Sequence, residues 1–375
     1  MKVIITGGAG FIGAHLCRRF LQEGHEVICL DNFSTSQRDK VEEMLSSPHF
    51  ALLERDVIAP LSDAEKSFLG QAAVIIHLAS PASPKQYHRL DLETALVNSL
   101  GTLQMLELAY HNRCRFVLAS TSEIYGNPLV HPQSEQYCGN VSTSGPRSHY
   151  DESKRFAETL TSLYHRKFEL DTRIARIFNT YGPGMQAGDG RVIPNFITAA
   201  LANRALTIYG DGNQTRSFCY ISDLIEGLFR LATRPGLAGT IVNLGNPDER
   251  SIKELAALIT SLCGSTAQTV YLPLPQDDPE RRCPDITLAT RLLDWQPRVG
   301  LKDGLIATID YFKTRARVDR SVDPPTPFGA IFPPSIPVPW PNRWDCAHEA
   351  RCRRNGSHGG SPCRSERRSF GSPPR

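Results

Sequence analysis

The chain has 375 residues, 40% of them hydrophobic, which is enough apolar surface for a real core and excludes a polypeptide that is disordered throughout. Its net charge of +3 belongs to its C-terminal end: residues 316–375 hold ten Arg against five acids, leaving 32 basic and 34 acidic side chains to residues 1–315. A nearly neutral body argues against a nucleic-acid groove, and the lack of an apolar run of about eighteen residues argues against a membrane span.

In chain order, "KVIIT" reads as a strand from Lys2, with no room for a signal peptide ahead of it, so a cytoplasmic protein is expected. A helix follows from about Gly10 to Glu23, then "EVICLD" as a strand, a helix near Asp39 to Leu45, and the strands "FALLERDV", "AAVIIHLA" and "RFVLAST". Continuous Val/Ile/Leu runs alternating with helices predict a parallel sheet buried on both faces, a doubly wound α/β, Rossmann-like domain. Later segments, "VIPNFITAALAN", "ALTIYG", "IVNLG" and "SIKELAALITSLCG", lie among Gly-, Pro- and Asn-rich loops and predict a smaller substrate domain interleaved with the first. The expected division is 1–178 with segments from about 215–245 returning to it, 179–315, and a disordered tail over 316–375, where Pro, Arg, Ser and Gly dominate. Ten cysteines form no CxxC pair and no His lies at zinc-finger spacing, so free thiols and no metal site are expected.

"TGGAGFIG" follows the first strand and opens the first helix. Gly8, Gly10 and Gly13 satisfy G-x-G-x-x-G, and Gly7, Gly10 and Gly13 satisfy the G-x-x-G-x-x-G variant. Such glycines permit a tight turn and close backbone approach to a pyrophosphate at a helix N-terminus. Asp31 ends the second strand, where a carboxylate hydrogen-bonds the ribose hydroxyls of NAD and repels the extra phosphate of NADP.

"YDESK" places Tyr150 and Lys154 one helical turn apart. A neighbouring ammonium favours the phenolate, which can take the proton of a sugar hydroxyl while hydride leaves for NAD. Ser122 or Thr121, at the end of "RFVLAS", can hydrogen-bond the same hydroxyl. Glu123 in "FVLASTSEIYG" is an ionisable group at the end of an apolar run; it either caps a helix or takes part in chemistry.

On these motifs, together with "HLASPASPKQY", "GPRSHYDESKR", "RIFNTYGP", "GDGNQTRSF" and "QDDPERR", residues 1 to about 315 resemble the extended short-chain dehydrogenase/reductases, the NAD-dependent epimerase/dehydratase family. Within it the likeness is greatest to the branch that decarboxylates UDP-glucuronate. Dehydratases of the family typically carry Asp where Ser122 stands, and 4-epimerases typically lack the Glu, so the resemblance implies decarboxylation to UDP-xylose through a 4-keto sugar, with tightly bound NAD recycled. The open alternatives are 4-epimerisation, release of the 4-keto pentose, or a non-catalytic NAD-sensing regulator, which the intact Tyr150–Lys154 pair disfavours.

The resemblance further assigns Phe11, Ile12, Asn32, Asp56, Val57, Leu78, Ala79 and Asn98 to NAD, beside the glycines, Asp31, Tyr150 and Lys154. It assigns Ser83, Tyr87 and Arg282 to the sugar carboxylate, with the register between Arg281 and Arg282 open because many relatives have Lys where Cys283 stands. Asn179, Arg191, Asn195 and Arg216 are implied to hold UDP, and Tyr209 to stack on its base. Glu123 is implied to position the ring or a water at C5. A homodimer built on the helices near "ETALVNSLGTLQMLELAYH" and Tyr150 is implied as well.

Overall fold

The computed structural model describes residues 1–274 and 281–321, with side chains as far as residue 316. Among the described residues, Lys2–Thr6 (β1), Glu26–Asp31 (β2), Phe50–Glu54 (β3), Val74–His77 (β4), Arg115–Thr121 (β5), Thr172–Ile177 (β6) and Ile241–Leu244 (β7) form one parallel sheet. Its order is β7-β6-β5-β4-β1-β2-β3. The order reverses at β1, which pairs with β2 on one side and β4 on the other. In open α/β sheets a ligand crevice lies beyond the strand ends at such a switch point.

Successive side chains of a strand point to opposite faces, and here both faces are buried. Val3, Ile5, Val27 and Cys29 feed one core, while Ile4, Ile28, Leu30 and Phe116 feed the other. The helix Phe11–Gln22 turns Ala14, Leu16, Cys17 and Phe20 into the first core, against the helix Ile221–Thr233. In that core Trp295, 2% exposed, donates its indole N–H to the Asp223 carbonyl at 2.8 Å.

A third core gathers Ile193, Phe196 and Ile197 of the helix Val192–Leu201 with Leu255 and Ile259 of the helix Ile252–Cys263 and Leu305, Ile309 and Phe312 of the helix Leu301–Ser321. The middle helix opens on a Ser251/Glu254 capping box and stops at Gly264, whose φ of +62° a side chain would resist. The strand Thr215–Ser217 pairs antiparallel with Glu249–Ser251 and parallel with Arg281–Arg282. The helix Leu301–Ser321 runs past the boundary expected at 315, although its last residue in this core is Phe312; the rest of the expected tail lies outside the described residues. Among those residues no helix is long and apolar enough to cross a membrane.

A buried polar network holds the helix Ser148–Phe168 against the sheet. Glu158 on that helix accepts hydrogen bonds from Arg176 of β6 at 3.0 and 2.8 Å and from Ser120 of β5. A paired buried charge is tolerated where a lone one is not, so the network fixes which face of the helix meets β5.

Trp295→Ala removes a fully packed indole and the hydrogen bond it donates to the Asp223 carbonyl. We expect a loss of about 3–5 kcal/mol in urea unfolding, with NAD affinity of the folded fraction unchanged.

Candidate active site

Beyond the strand ends lies a cleft of about 1380 Å³, lined by both the sheet and the third core. That exceeds the volume of a site for one small ligand and suits two large ones. Gly7 adopts φ +66°, and a Cβ there would stand 2.8 Å from the Ala79 nitrogen; a Cβ on Gly13 would stand 2.1 Å from the Gly7 carbonyl oxygen. Gly10 precedes the Phe11–Gln22 helix, and no side chain caps that helix's first N–H groups. A turn that only glycine can make, delivered to an uncapped helix N-terminus, fits a pyrophosphate.

Asp31, 7% exposed, accepts the Ala9 and Phe33 N–H groups at 2.9 Å each and the Ser36 hydroxyl at 2.8 Å. The carboxylate expected at the ribose therefore also ties the glycine turn to the loop after β2. Asn32 donates to Asp56 at 2.9 Å, and both line the cleft with Phe11, Ile12, Val57, Leu78 and Ala79.

Two residues expected at NAD do not line the cleft. Gly8 is packed inward, where a Cβ would meet the Cys29 sulfur at 2.6 Å, so its glycine serves the contact between turn and sheet. Asn98, 1% exposed, sits on a turn of π-helix and donates to the Ser153 hydroxyl at 3.1 Å, bracing the helix that carries Tyr150.

Tyr150 and Lys154 are both 4% exposed and both line the cleft. Burial pushes the Tyr150 phenol up to about 12, against the pull of the Thr121 hydroxyl and Arg191, with Glu123 and Asp151 raising it further. The effect expected from the Lys154 ammonium does not prevail here. Burial lowers Lys154 to about 8, and its Nζ donates to the Ala119 carbonyl at 3.0 Å. Tyr87 stacks on Tyr150 with ring centroids 4.8 Å apart and planes 11° apart, which fixes the phenol's plane.

Ser122, Thr121 and Glu123 stand where β5 ends in a short 3₁₀ turn, Ser122–Tyr125. Thr121 caps that turn by accepting the Glu123 N–H at 3.3 Å. Glu123 is paired with both Arg147 and Arg282. Burial would raise its carboxyl, but the two guanidinium groups pull it down to about 2. Arg282, 3% exposed, lines the cleft, while Arg281 is exposed, which separates the two candidate arginines.

Ser83 and Arg282 line the cleft, and Ser83 Oγ and Arg282 Nε are buried without a hydrogen-bond partner. The remaining expected residues, Asn179, Arg191, Asn195, Tyr209 and Arg216, also line the cleft, Tyr209 at 46% exposure. Arg191 lies 3.6 Å from Asp189, and Arg216 adds to the positive field on Glu123.

Sequence reading missed Arg147 and Asp151. Both flank Tyr150 in a stretch read only for its Tyr-x-x-x-Lys spacing, and nothing in that spacing signals a buried acid. Burial, then Glu123, raises Asp151 to about 7, with Arg147 and Arg282 opposing.

The model of the NAD dependent epimerase/dehydratase family matches residues 3–245, and the chain belongs to that family. It takes NAD as its cofactor. Over 312 residues it is 48% identical to UDP-glucuronic acid decarboxylase 1 of Xenopus tropicalis, covering 83% of this chain and 72% of that one. It is 46% identical to UDP-glucuronic acid decarboxylase 6 of Arabidopsis thaliana, covering 85% and 91%. Among solved structures, the UDP-glucuronic acid 4-epimerase of Bacillus cereus with UDP-glucuronic acid and NAD superposes with a TM-score of 0.76 at 30% identity, covering 84% of this chain and 100% of that one.

Asp151 has an ordinary value of 3.8 and a folded value of about 7, so ionising it costs folding free energy that accrues as pH rises between those values. Asp151→Asn removes this cost. Its stability relative to the parent should therefore rise from pH 4 to pH 7 and level off above, as read by urea unfolding at each pH.

Proposed function

We infer that the protein converts UDP-glucuronate to UDP-xylose by an NAD-dependent decarboxylation through a 4-keto sugar. The observation that carries this reading is that Arg282 and Ser83 line the same cleft as Tyr150, Lys154 and Ser122. A guanidinium and a hydroxyl in that cleft suit a sugar carboxylate. The curated relatives named for this reaction support it.

NAD, held by the turn at Gly7, Gly10 and Gly13 and by Asp31, would supply a hydride acceptor for C4 and the hydride source for its later reduction. Tyr150 takes the C4 hydroxyl proton, with Arg191 and the Thr121 hydroxyl favouring its ionised form, and Ser122 orients that hydroxyl. The ketone at C4 makes the sugar a β-keto acid, so its carboxylate can leave as carbon dioxide while the electrons pass to the carbonyl oxygen. The proton that Tyr150 gains is returned to the C4 oxygen, so the one added at C5 must come from water. Glu123, held near 2 by its arginines, stays a carboxylate at neutral pH and is therefore a group that orients that water or the ring, not the acid.

In this reading 1–178, with the return near 215–245, holds NAD, and 179–315 holds the UDP moiety through Asn179, Arg191, Asn195 and Arg216, with Tyr209 against the base. The working unit is a cytoplasmic homodimer. Leu92, Leu100, Tyr110, Phe156 and Phe168, exposed on the helices expected at its interface, support that assembly.

Incubation with UDP-glucuronate should release one carbon dioxide per UDP-xylose with no net NADH. Epimerised UDP-sugar without carbon dioxide would replace decarboxylation by epimerisation, and accumulation of the 4-keto pentose would move the endpoint. Tyr150→Phe should lower kcat by about 10²–10⁴ with KM nearly unchanged. Glu123→Gln should lower kcat more than it raises KM; decarboxylation at the parental rate would remove Glu123 from the mechanism.

A further inference from the structure

Outside the cleft, three side chains from distant parts of the chain converge: His131, Glu249 and Cys283. We infer that they form a binding site for a divalent transition metal of the zinc class. One ligand atom from each lies within 4.8 Å of the others, and His131 Nε2 stands 2.9 Å from Glu249 Oε2. A tetrahedral zinc site with metal–ligand distances of about 2.0–2.3 Å places its donors about 3.5 Å apart, so a cation would draw this set in by roughly 1 Å. Imidazole, carboxylate and thiolate together suit zinc, with a fourth position open to water.

A histidine beside a glutamate is on its own an ordinary ion pair. What distinguishes this one is how the third donor is delivered. Cys283 is 5% exposed, and its sulfur lies 3.4 Å from the Pro247 carbonyl and 4.0 Å from the Pro284 carbonyl. The surrounding charge is acidic, since Glu249, Asp248 and Asp285 all act on that sulfur.

The scaffold is already built. Gln133, fully buried, donates its N–H to the Cys283 carbonyl at 2.9 Å and accepts the Cys283 N–H on its side chain at 2.9 Å, so the loop carrying His131 is fastened to the residue that follows the strand Arg281–Arg282. Glu249 lies on the other neighbour of Thr215–Ser217, and the Thr215 hydroxyl holds its Oε1 at 2.6 Å, leaving Oε2 for His131 or a metal. Such outer hydrogen bonds are what orient metal ligands.

The test uses the full chain, reduced and stripped with a chelator, and titrated with Co²⁺. We expect a thiolate-to-cobalt charge-transfer band that saturates at one equivalent, disappears in Cys283→Ser, and needs at least about tenfold more cobalt in His131→Gln. Zn²⁺ should raise the thermal midpoint of the parent and leave that of Cys283→Ser unmoved. No band in the parent overturns the proposal. So does an undiminished band in Cys283→Ser, which would put the metal on other thiols such as Cys346, Cys352 or Cys363. If Cys283→Ser does not fold, His131→Gln decides, and parental affinity there overturns the site equally.

Discussion

One carboxylate between two guanidinium groups holds the cleft together. Glu123 sits at the end of β5, Arg147 at the start of the Tyr150 helix 24 residues on, and Arg282 on a strand 159 residues on. Each is a charge that burial alone would penalise; together they offset that penalty, and losing the shared carboxylate would strand both arginines at a cost of about 3–5 kcal/mol. The arrangement also sets the charge of the site. The two arginines carry one more positive charge than Glu123 carries negative, and Asp151, raised to about 7, offsets that excess only in part at neutral pH, which suits an anionic sugar.

Tyr150 depends on that arrangement and on the supports behind it. Its helix is fixed by Glu158 to β5 and β6, its neighbouring turn by Asn98, and its ring by Tyr87. None of these groups is the reacting one, yet a near-attack geometry tolerates little displacement, so they decide whether the phenol meets the C4 hydroxyl.

The fold's first half was legible because its signals are local. A Val/Ile run, a glycine turn and an amphipathic helix each declare themselves within a dozen residues, and the strand positions followed from them. The Tyr150–Lys154 pair was legible for the same reason. The register of Arg282 was not, since two adjacent arginines are equivalent until a strand pairing at Thr215–Ser217 turns one inward. Gly8 shows the converse: a motif glycine can be packed against the sheet behind the turn instead of lining the cleft before it. Asp151 and the ionisation of Tyr150 were hidden because burial, which a sequence does not print, outweighs the neighbouring charges that it does.

The place of β7 has a consequence for how the chain is made. The sheet's outer edge beside β6 is closed only by Ile241–Leu244, after the helix Val192–Leu201 and the strands around Leu206–Ser217 have been laid down elsewhere. During synthesis β6 therefore waits with an open hydrogen-bonding edge for more than sixty residues of growing chain, a template for wrong pairing. Arg173, fully buried in β6 and bonded to the carbonyls of Leu231 and Arg234, brings the segment just before β7 onto that strand and shortens the search that ends the exposure.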